Sequence, residues 1–466
     1  MPVSLSQLAQ IGPISNFTDW QWRQLDQMYV LSASMIVFDY LSSSLGVYVT
    51  AVGNGVGPSY QLFPQSTAGS NIFFFANTTP YLFFIGAYLI GGGITNATAV
   101  NCTSPTWLLA FNTSTLSSWS GCGISFGSNS PFLEDIALDF QNQVAYFLFN
   151  LGGVLAIEIF QLTFTQLQSL IANQRYTGGY QLAYLQPPNT SSSTFISPAV
   201  MNFVYYNSTF YVGYSAGGNV FLWSIPLSAI TFSTNFTAST QNVGTVYTIY
   251  SGGNGYFGSV FLNYYLSSGS VVYELLVYFI TGSSSVAGDY GGTVDIYSFN
   301  LSSTSATQLF VQSGIKAQLK AINFGGLVAF AFTEGGGFLV AVYDRKTNSF
   351  EYTSIPNGQI GGYVAQPYFA VGASGSASSL TFTIYQILVD TTPVIQNLAF
   401  SNGTLSGKLV NANGGGALAG VTVYLYQLAT EGDDYSSGTQ IASTTTDSNG
   451  QFSFSISQPG YYAVKV

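Results

Sequence analysis

Histidine is missing from this sequence altogether, and charge is nearly so: of 466 residues, 6% are Asp, Glu, Lys or Arg, against a usual share of about 25%. Without His, nucleophile-His arrangements and most zinc sites are excluded. The eight basic residues are spread singly, apart from one Arg345-Lys346 pair, against eighteen acidic ones, for a net charge of −10. Such a chain lacks the basic footprint that nucleic acid or an anionic membrane requires. Below about pH 4 most of its carboxylates are neutral, so acid removes few native ion pairs and stability should depend weakly on pH.

Cysteine is almost as scarce. Cys102 and Cys122 stand twenty residues apart around a Ser/Thr-rich loop. Two thiols with no His cannot complete a tetrahedral zinc shell, which leaves a disulfide closing the loop or a pair of buried thiols. Uninterrupted apolar runs are lacking too. Residues 72–94 are broken by Asn77-Thr78-Thr79-Pro80 and residues 144–160 by Asn150-Leu151-Gly152-Gly153, so neither reads as a membrane span and the second reads as a buried β-hairpin. Met1 to Gly12 has neither a basic n-region nor an apolar h-region, so no secretory signal is expected; an unconventional signal, a trimmed chain or exit as part of a particle are the alternatives.

What the chain has in abundance is neutral: 47% hydrophobic and 16% aromatic residues, with 33 Tyr and 37 Phe. Its length calls for two or more domains. Solubility falls to Ser, Thr, Asn, Gln, Gly and Tyr, and to carbohydrate. Ten Asn-X-Ser/Thr acceptors occur, at Asn16, Asn77, Asn96, Asn101, Asn112, Asn189, Asn207, Asn235, Asn300 and Asn402; each is a glycosylation candidate, although a Ser/Thr-rich chain also makes such triplets by chance.

One helix is expected, over residues 13–28. Thr18-Asp19-Trp20-Gln21 has the capping-box order, with Trp20, Gln24, Leu25 and Met28 at helical spacing. It reads either as a short helix packed on the first strand or, through Trp20, Trp22 and Leu25, as an anchor segment (residues 1–30) that plugs into a larger assembly.

From residue 31 to 395 a phrase recurs: an apolar strand, a polar turn, then a Ser/Thr-rich stretch leading into the next strand. Copies begin at Met35, Trp107, Val154, Val220, Val294 and Phe338, with a weaker one at Leu380 that could supply closing strands. The spacing brackets a four-stranded blade with variable loops. A single blade cannot bury both faces, whereas stacking around an axis does so. A six- or seven-bladed β-propeller is therefore expected, with a stack of β-sandwiches as the competing architecture.

A different module occupies residues 396–466. Gly420-Val421-Thr422-Val423-Tyr424-Leu425, then Thr446-Asp447-Ser448-Asn449-Gly450-Gln451-Phe452-Ser453-Phe454, then Pro459-Gly460-Tyr461, resemble the carboxypeptidase regulatory-like, transthyretin-like β-sandwich over about 65 residues. Asp447 should accept turn amides and Gly450 supply a positive φ that reverses the chain between two strands. One carboxylate is too few for calcium. Some members of that family carry an internal Lys-Asn crosslink; Lys408 lies in a first strand, but no matching catalytic Glu or terminal Asn follows. The resemblance implies more chain after Tyr461 than this sequence has, so either the natural chain continues or a neighbour's strand completes the sheet.

Catalysis is left to carboxylate pairs. Glu134, Asp135 and Asp139 form the one tight acidic cluster and Asp289 with Asp295 a looser one; Asp135 and Asp139 should share a strand face, but such residues also serve as turn ligands. Gly91-Gly92-Gly93, Gly335-Gly336-Gly337 and Gly414-Gly415-Gly416 lack the following Lys and helix of a phosphate loop and read as tight turns. The expectation is not an enzyme, with no cofactor and no metal.

The Gly/Ser/Thr/Tyr-rich, His-free, sequon-dense style resembles surface proteins of crenarchaea and their viruses, and the layout resembles tail-fibre or spike proteins of spindle-shaped archaeal viruses. That resemblance implies a virion surface protein used for host attachment. Its partners would be other virion proteins, met through the N-terminal segment, and a host surface glycan or protein receptor, with the chain oligomeric within an assembly. A cell surface-layer or adhesive filament subunit and a secreted propeller glycosidase are the alternatives.

Overall fold

The computed structural model describes residues 3–15, 28–32, 35–38, 48–51, 59–61, 70–78, 81–88, 106–112 and 117–121, and from 132 onward all but 140, 151–155, 164, 167–180, 189–201, 235–237, 268–269, 285–288, 325, 346–347, 366–367, 377–378, 390–392, 412–416, 419 and 431–437. Within them the chain is nearly all β.

The first strand, β1 (Val3–Ser15), joins a sheet whose other members come near the end of the series of sheets. Then follow β2 (Met28–Ser32), β3 (Met35–Phe38), β4 (Tyr48–Ala51) and β5 (Ser59–Gln61) in one four-stranded sheet, and β6 (Ser70–Thr78), β7 (Tyr81–Tyr88), β8 (Thr106–Asn112) and β9 (Ser117–Gly121) in a second. A third comprises β10 (Phe132–Asp139), β11 (Val144–Asn150), β12 (Ile157–Thr163) and β13 (Gln181–Gln186). A fourth comprises β14 (Asn202–Tyr206), β15 (Thr209–Ala216), β16 (Asn219–Pro226) and, after the short β17 (Gln241–Asn242) that pairs parallel with β13, β18 (Thr245–Tyr250). All other pairings in these sheets are antiparallel, between successive strands except that β16 pairs with β18 past β17.

A seven-stranded sheet follows: β19 (Gly255–Ser267), β20 (Ser270–Ser284), β21 (Asp289–Asn300), β22 (Ser305–Phe324), β23 (Leu327–Glu334), β24 (Gly337–Asp344) and β25 (Ser349–Ser354). It is two meanders sharing the 20-residue β22. The N-terminal half of β22 pairs with β21 and is mostly exposed, whereas from Ile315 onward it pairs increasingly with β23 and alternates into the core. Next come β26 (Gly361–Ala365), β27 (Phe369–Ser376) and β28 (Ser379–Val389), whose fourth strand is β1, paired antiparallel from Val3↔Val389 to Ser15↔Ser379.

From the third sheet onward, where side chains are described, each meander buries side chains on both faces, as a stacked sheet must. Tyr146, Leu148, Ile157 and Ile159 of the third sheet pack on Phe203, Phe210, Val212 and Trp223 of the fourth. Val220 and Leu222 pack on Val260, Leu275 and Val277; Leu276 and Tyr278 pack on Phe330 and Tyr343; Ala329 and Val340 pack on Val364 and Tyr385. Val30 of β2 is buried against Tyr363, Val371 and Ile384, so the first sheet meets the last. The first strands of the units touch in succession, β6 with β10, β10 with β14, β14 with β19, β19 with β22, β22 with β26, and β26 with β2.

After Val389 the chain leaves this array, and β29 (Pro393–Ser401) opens a separate pair of three-stranded sheets with β30 (Thr404–Asn411), β31 (Thr422–Leu428), β32 (Thr439–Thr445), β33 (Gln451–Ser455) and β34 (Tyr461–Lys465), ordered β29-β30-β33 and β32-β31-β34. Leu405, Val423, Leu425, Phe452 and Phe454 form their core.

Two expectations are corrected. The helix over 13–28 is not formed as drawn: Pro13, Ile14 and Ser15 end β1 and Met28 opens β2, because alternation along residues 3–15 satisfies the edge of β28. Trp20, Trp22 and Leu25 lie outside the described residues. The capping box that is seen is Thr163 with Gln166, each side chain taking the other's backbone N–H at 3.2 and 2.7 Å, and no helix longer than a turn occurs among the described residues. The Asp447–Gly450 turn, expected to reverse one hairpin, instead carries the chain from one C-terminal sheet to the other, since β32 pairs with β31 and β33 with β30.

Candidate functional site

Because each sheet is a meander, its first-to-second and third-to-fourth hairpins emerge at the same end. That end carries a band of aromatic side chains. At the junction of the third and fourth sheets, Tyr146 and Tyr205 lie 5.0 Å apart between ring centroids. At the next junction Tyr206, one residue before the β14–β15 turn, lies 4.9 Å from Tyr273 of β20, and Tyr273 faces its cross-strand partner Tyr264 at 6.4 Å. Tyr206, Tyr264 and Tyr273 are all partly exposed. Further round, Phe324 and Tyr368 meet at 6.3 Å. Desolvation raises the phenols of Tyr146, Tyr205 and Tyr368 above the usual range, so these hydroxyls remain neutral.

Between the two halves of the seven-stranded sheet the same end holds an ion pair. The Glu274 carboxylate, 1% exposed, accepts from Arg345 Nε at 2.7 Å and Nη2 at 3.2 Å, from Asn263 Nδ2 at 2.8 Å, and from the Ser298 hydroxyl. Four donors on one carboxylate leave it no capacity for general-base work.

The carboxylates expected to offer chemistry are held the same way. Asp135 and Asp139 do share a buried face of β10, but they sit four residues apart, about 13 Å along a strand, where a glycosidase pair needs about 5–10 Å. Asp135 Oδ2 accepts the Phe203 backbone N–H at 2.9 Å, joining β10 to β14. Asp139 takes the Asn142 backbone and side-chain N–H groups at 2.9 and 2.7 Å, closing the β10–β11 turn. Glu134 falls on the bulge between Leu133 and Asp135. Asp295 accepts from Gln308 at 2.8 Å and Thr281 at 3.2 Å; burial, the largest effect, raises its pKa and the two donors lower it. Asp289 is six residues away on β21, about 20 Å. Asp447 accepts the Asn449 and Gln451 N–H groups, each at 2.8 Å, and Gly450 has φ +75°, as the sequence indicated. Gly335 and Gly336, both at positive φ, form the tight β23–β24 turn.

Five sequons fall on described residues. Asn207 and Asn402 are exposed and occupy the first position of two-residue hairpin turns, with φ of 47° and 50°, the conformation Asn tolerates best among residues with a side chain. Asn300 accepts the Ser302 and Ser303 N–H groups on Oδ1 at 2.8 and 2.9 Å. Asn77 and Asn112 are strand positions beside the β6–β7 and β8–β9 hairpins. Asn16, Asn96, Asn101, Asn189 and Asn235, with Cys102 and Cys122, lie outside the described residues.

Sequence reasoning missed Glu274 with Arg345, which are 71 residues apart; the pairing of Tyr206 with Tyr273; and Glu158. The last is 1% exposed between Phe149 and Tyr184 of adjoining strands, with Oε1 unbonded among the described residues and its pKa raised to about 8 by burial.

The chain matches no family model and no curated protein. It is similar to several solved structures at low identity. The β-propeller domain of Cps50 (Swd1) from Myceliophteria thermophila has a TM-score of 0.43 and 9% identity, over 83% of this chain and 99% of that one. An oligogalacturonate lyase in complex with manganese has 0.40 and 9%, over 83% and 97%. A puromycin-hydrolyzing peptidase of Mycobacterium tuberculosis has 0.44 and 10% over 83%, this chain spanning 57% of its length. At 9–10% identity none of them brings a residue role with it.

Proposed function

We propose that the chain is a virion surface structural protein, a tail fibre or spike used for host attachment, built as a seven-bladed β-propeller followed by a transthyretin-like β-sandwich. Seven blades follow if the shared strand β22 serves as the outer strand of one blade and the inner strand of the next. The seven repeated phrases then fall one per blade, and β1 on β28 closes the ring. A strand from the other end of the chain thereby completes the last sheet and covers β28, leaving only short sheet edges.

The observation that carries the attachment reading is where apolar surface is left over on this charge-poor body. Of six large hydrophobic side chains exposed among the described residues, Leu398, Phe400 and Ile441 belong to strands of the C-terminal module, and this is the surface the reading assigns to contact. The propeller is then the body and the sandwich the contacting tip. The tested object is the intact particle. Antibody against residues 393–466 should decorate particle surfaces and block adsorption to host cells. Label confined to cell envelopes would favour the surface-layer alternative, and label on neither would remove both.

A further inference from the structure

The strand order places sequons and tyrosines together. Asn77 and Asn207 lie at first-to-second hairpins and Asn112 and Asn300 at third-to-fourth hairpins of their units, so all four described sequons of the first 389 residues emerge at the end that carries the tyrosine band. Asn207 directly follows Tyr206, whose ring meets Tyr273. The turn exposes Asn207 fully enough for a substituent, and Asn300 is held by its Oδ1, leaving Nδ2 outside those bonds.

We propose that this end is a glycan-bearing pole, with N-linked sugars at Asn77, Asn112, Asn207 and Asn300, and that Tyr206, Tyr264 and Tyr273 form the bed on which the Asn207-linked sugar lies. A partly exposed tyrosine presents an apolar ring face and a neutral hydroxyl, which suit the C–H face and hydroxyls of a pyranose. The carboxylate next to Tyr273 in sequence, Glu274, is buried and matched by Arg345, so this bed suits an uncharged sugar. The covalent step is displacement on a lipid-linked sugar phosphate supplied by a membrane transferase. Nδ2 of Asn forms a bond to C1 of the sugar, the C1–O bond to phosphate breaks, the lipid phosphate leaves with the bonding pair, and an Nδ2 proton passes to a base of the transferase. The inference shares the exterior location of the attachment reading but not its attachment step.

The test uses the full chain carrying a reference sequon tag, secreted from a glycosylating host and, separately, made in a bacterium that adds no sugar. Glycopeptide mass spectrometry should find sugar on the four hairpin-end asparagines. Tyr273→Ala should lower the melting temperature of the glycosylated chain by several degrees more than that of the bare chain, and Asn207→Gln should abolish the difference. An unmodified Asn207 and Asn300 beside a modified tag would overturn the pole. Sugar present with an equal effect of Tyr273→Ala on both forms would overturn the bed. Because the bare chain is the fold control, misfolding of Tyr273→Ala in that form moves the comparison to Tyr264→Phe and Tyr206→Phe, which must then show the same sugar-dependent difference or the bed fails. Occupied sites on a chain that does not attach to cells leave this inference standing and remove the spike reading.

Discussion

The carboxamide of Asn202 lies against Val260 as a second peptide group would, donating from Nδ2 to the Val260 carbonyl at 3.0 Å and accepting its N–H on Oδ1 at 2.8 Å. Asn202 is in β14 and Val260 in β19, so a side chain does between sheets what backbone does within them. The first strands need such a device because the edge they turn toward one another has no further strand to pair with, and buried peptide groups must find partners. Asp135 on Phe203, Ser259 on Ala321 and Gln318 on Gly362 repeat it around the array. Asn202→Ala should strand one donor and one acceptor, at about 1–3 kcal/mol each. A urea midpoint unchanged from wild type would show that water replaces the amide without loss.

Arg345→Met should be worse than its partial exposure suggests. It leaves the Glu274 carboxylate buried with an unmatched charge, a loss of about 3–5 kcal/mol in comparable sites. Pairing it with Glu274→Gln removes that charge while leaving an oxygen for Asn263 or Ser298, so the double variant should unfold at higher denaturant than Arg345→Met alone. If the double variant is the less stable, the pair stabilises by attraction and not through the cost of an orphaned charge.

How far the sequence carried these features depends on the range of the interaction. The copy of the phrase at Trp107 falls on β8 with β9, that at Phe338 on β24 with β25, and that at Leu380 on β28, because alternation and turn residues are local and a third-to-fourth hairpin repeats them. The Asp447–Gly450 turn was likewise legible at its own residues, although not which sheets it joins. The first fifteen residues were not legible. Val3–Ser15 alternates as a strand does, but its partner β28 begins more than 360 residues later, and no local signal names so distant an edge. The carboxylates show the reverse failure: spacing found Asp135 and Asp139 as a possible pair, and only the fold shows Phe203 and Asn142 already occupying them. Tyrosines that pack within a sheet and Tyr273, which meets Tyr206 across sheets, look the same in sequence.

Removing residues 1–15 should open the sheet at β28. That exposes the edge of Ser379–Val389, which includes fully buried Leu380, Phe382 and Ile384, and an uncovered apolar edge strand pairs with whatever it meets. Truncated protein should therefore elute as oligomers and bind a hydrophobic dye, and a synthetic peptide of residues 3–15 added during refolding should restore the monomer-sized species. Truncated chain that stays at its original size and melts as before would mean that β1 contributes pairing without closure.

Glu158, with its pKa raised further than that of Asp295, sets the larger pH dependence that runs against the usual carboxylate. Its folded-state pKa is raised to about 8 by burial, from 4.5 when unfolded, so between those values the native protein holds a proton that the unfolded chain releases. Linkage then makes stability fall as pH rises across that window: the neutral acid is tolerated below pH 4.5, the penalty grows by about 1.4 kcal/mol per pH unit above it, and it levels off once the native carboxyl also ionises near 8. Wild type should accordingly melt higher at pH 5 than at pH 8. Glu158→Gln, which is neutral at both, should flatten the difference and melt above wild type at pH 8. Equal melting curves for the two proteins at pH 8 would place a partner on that carboxylate and cancel its share of the acid tolerance expected from a chain this poor in charge.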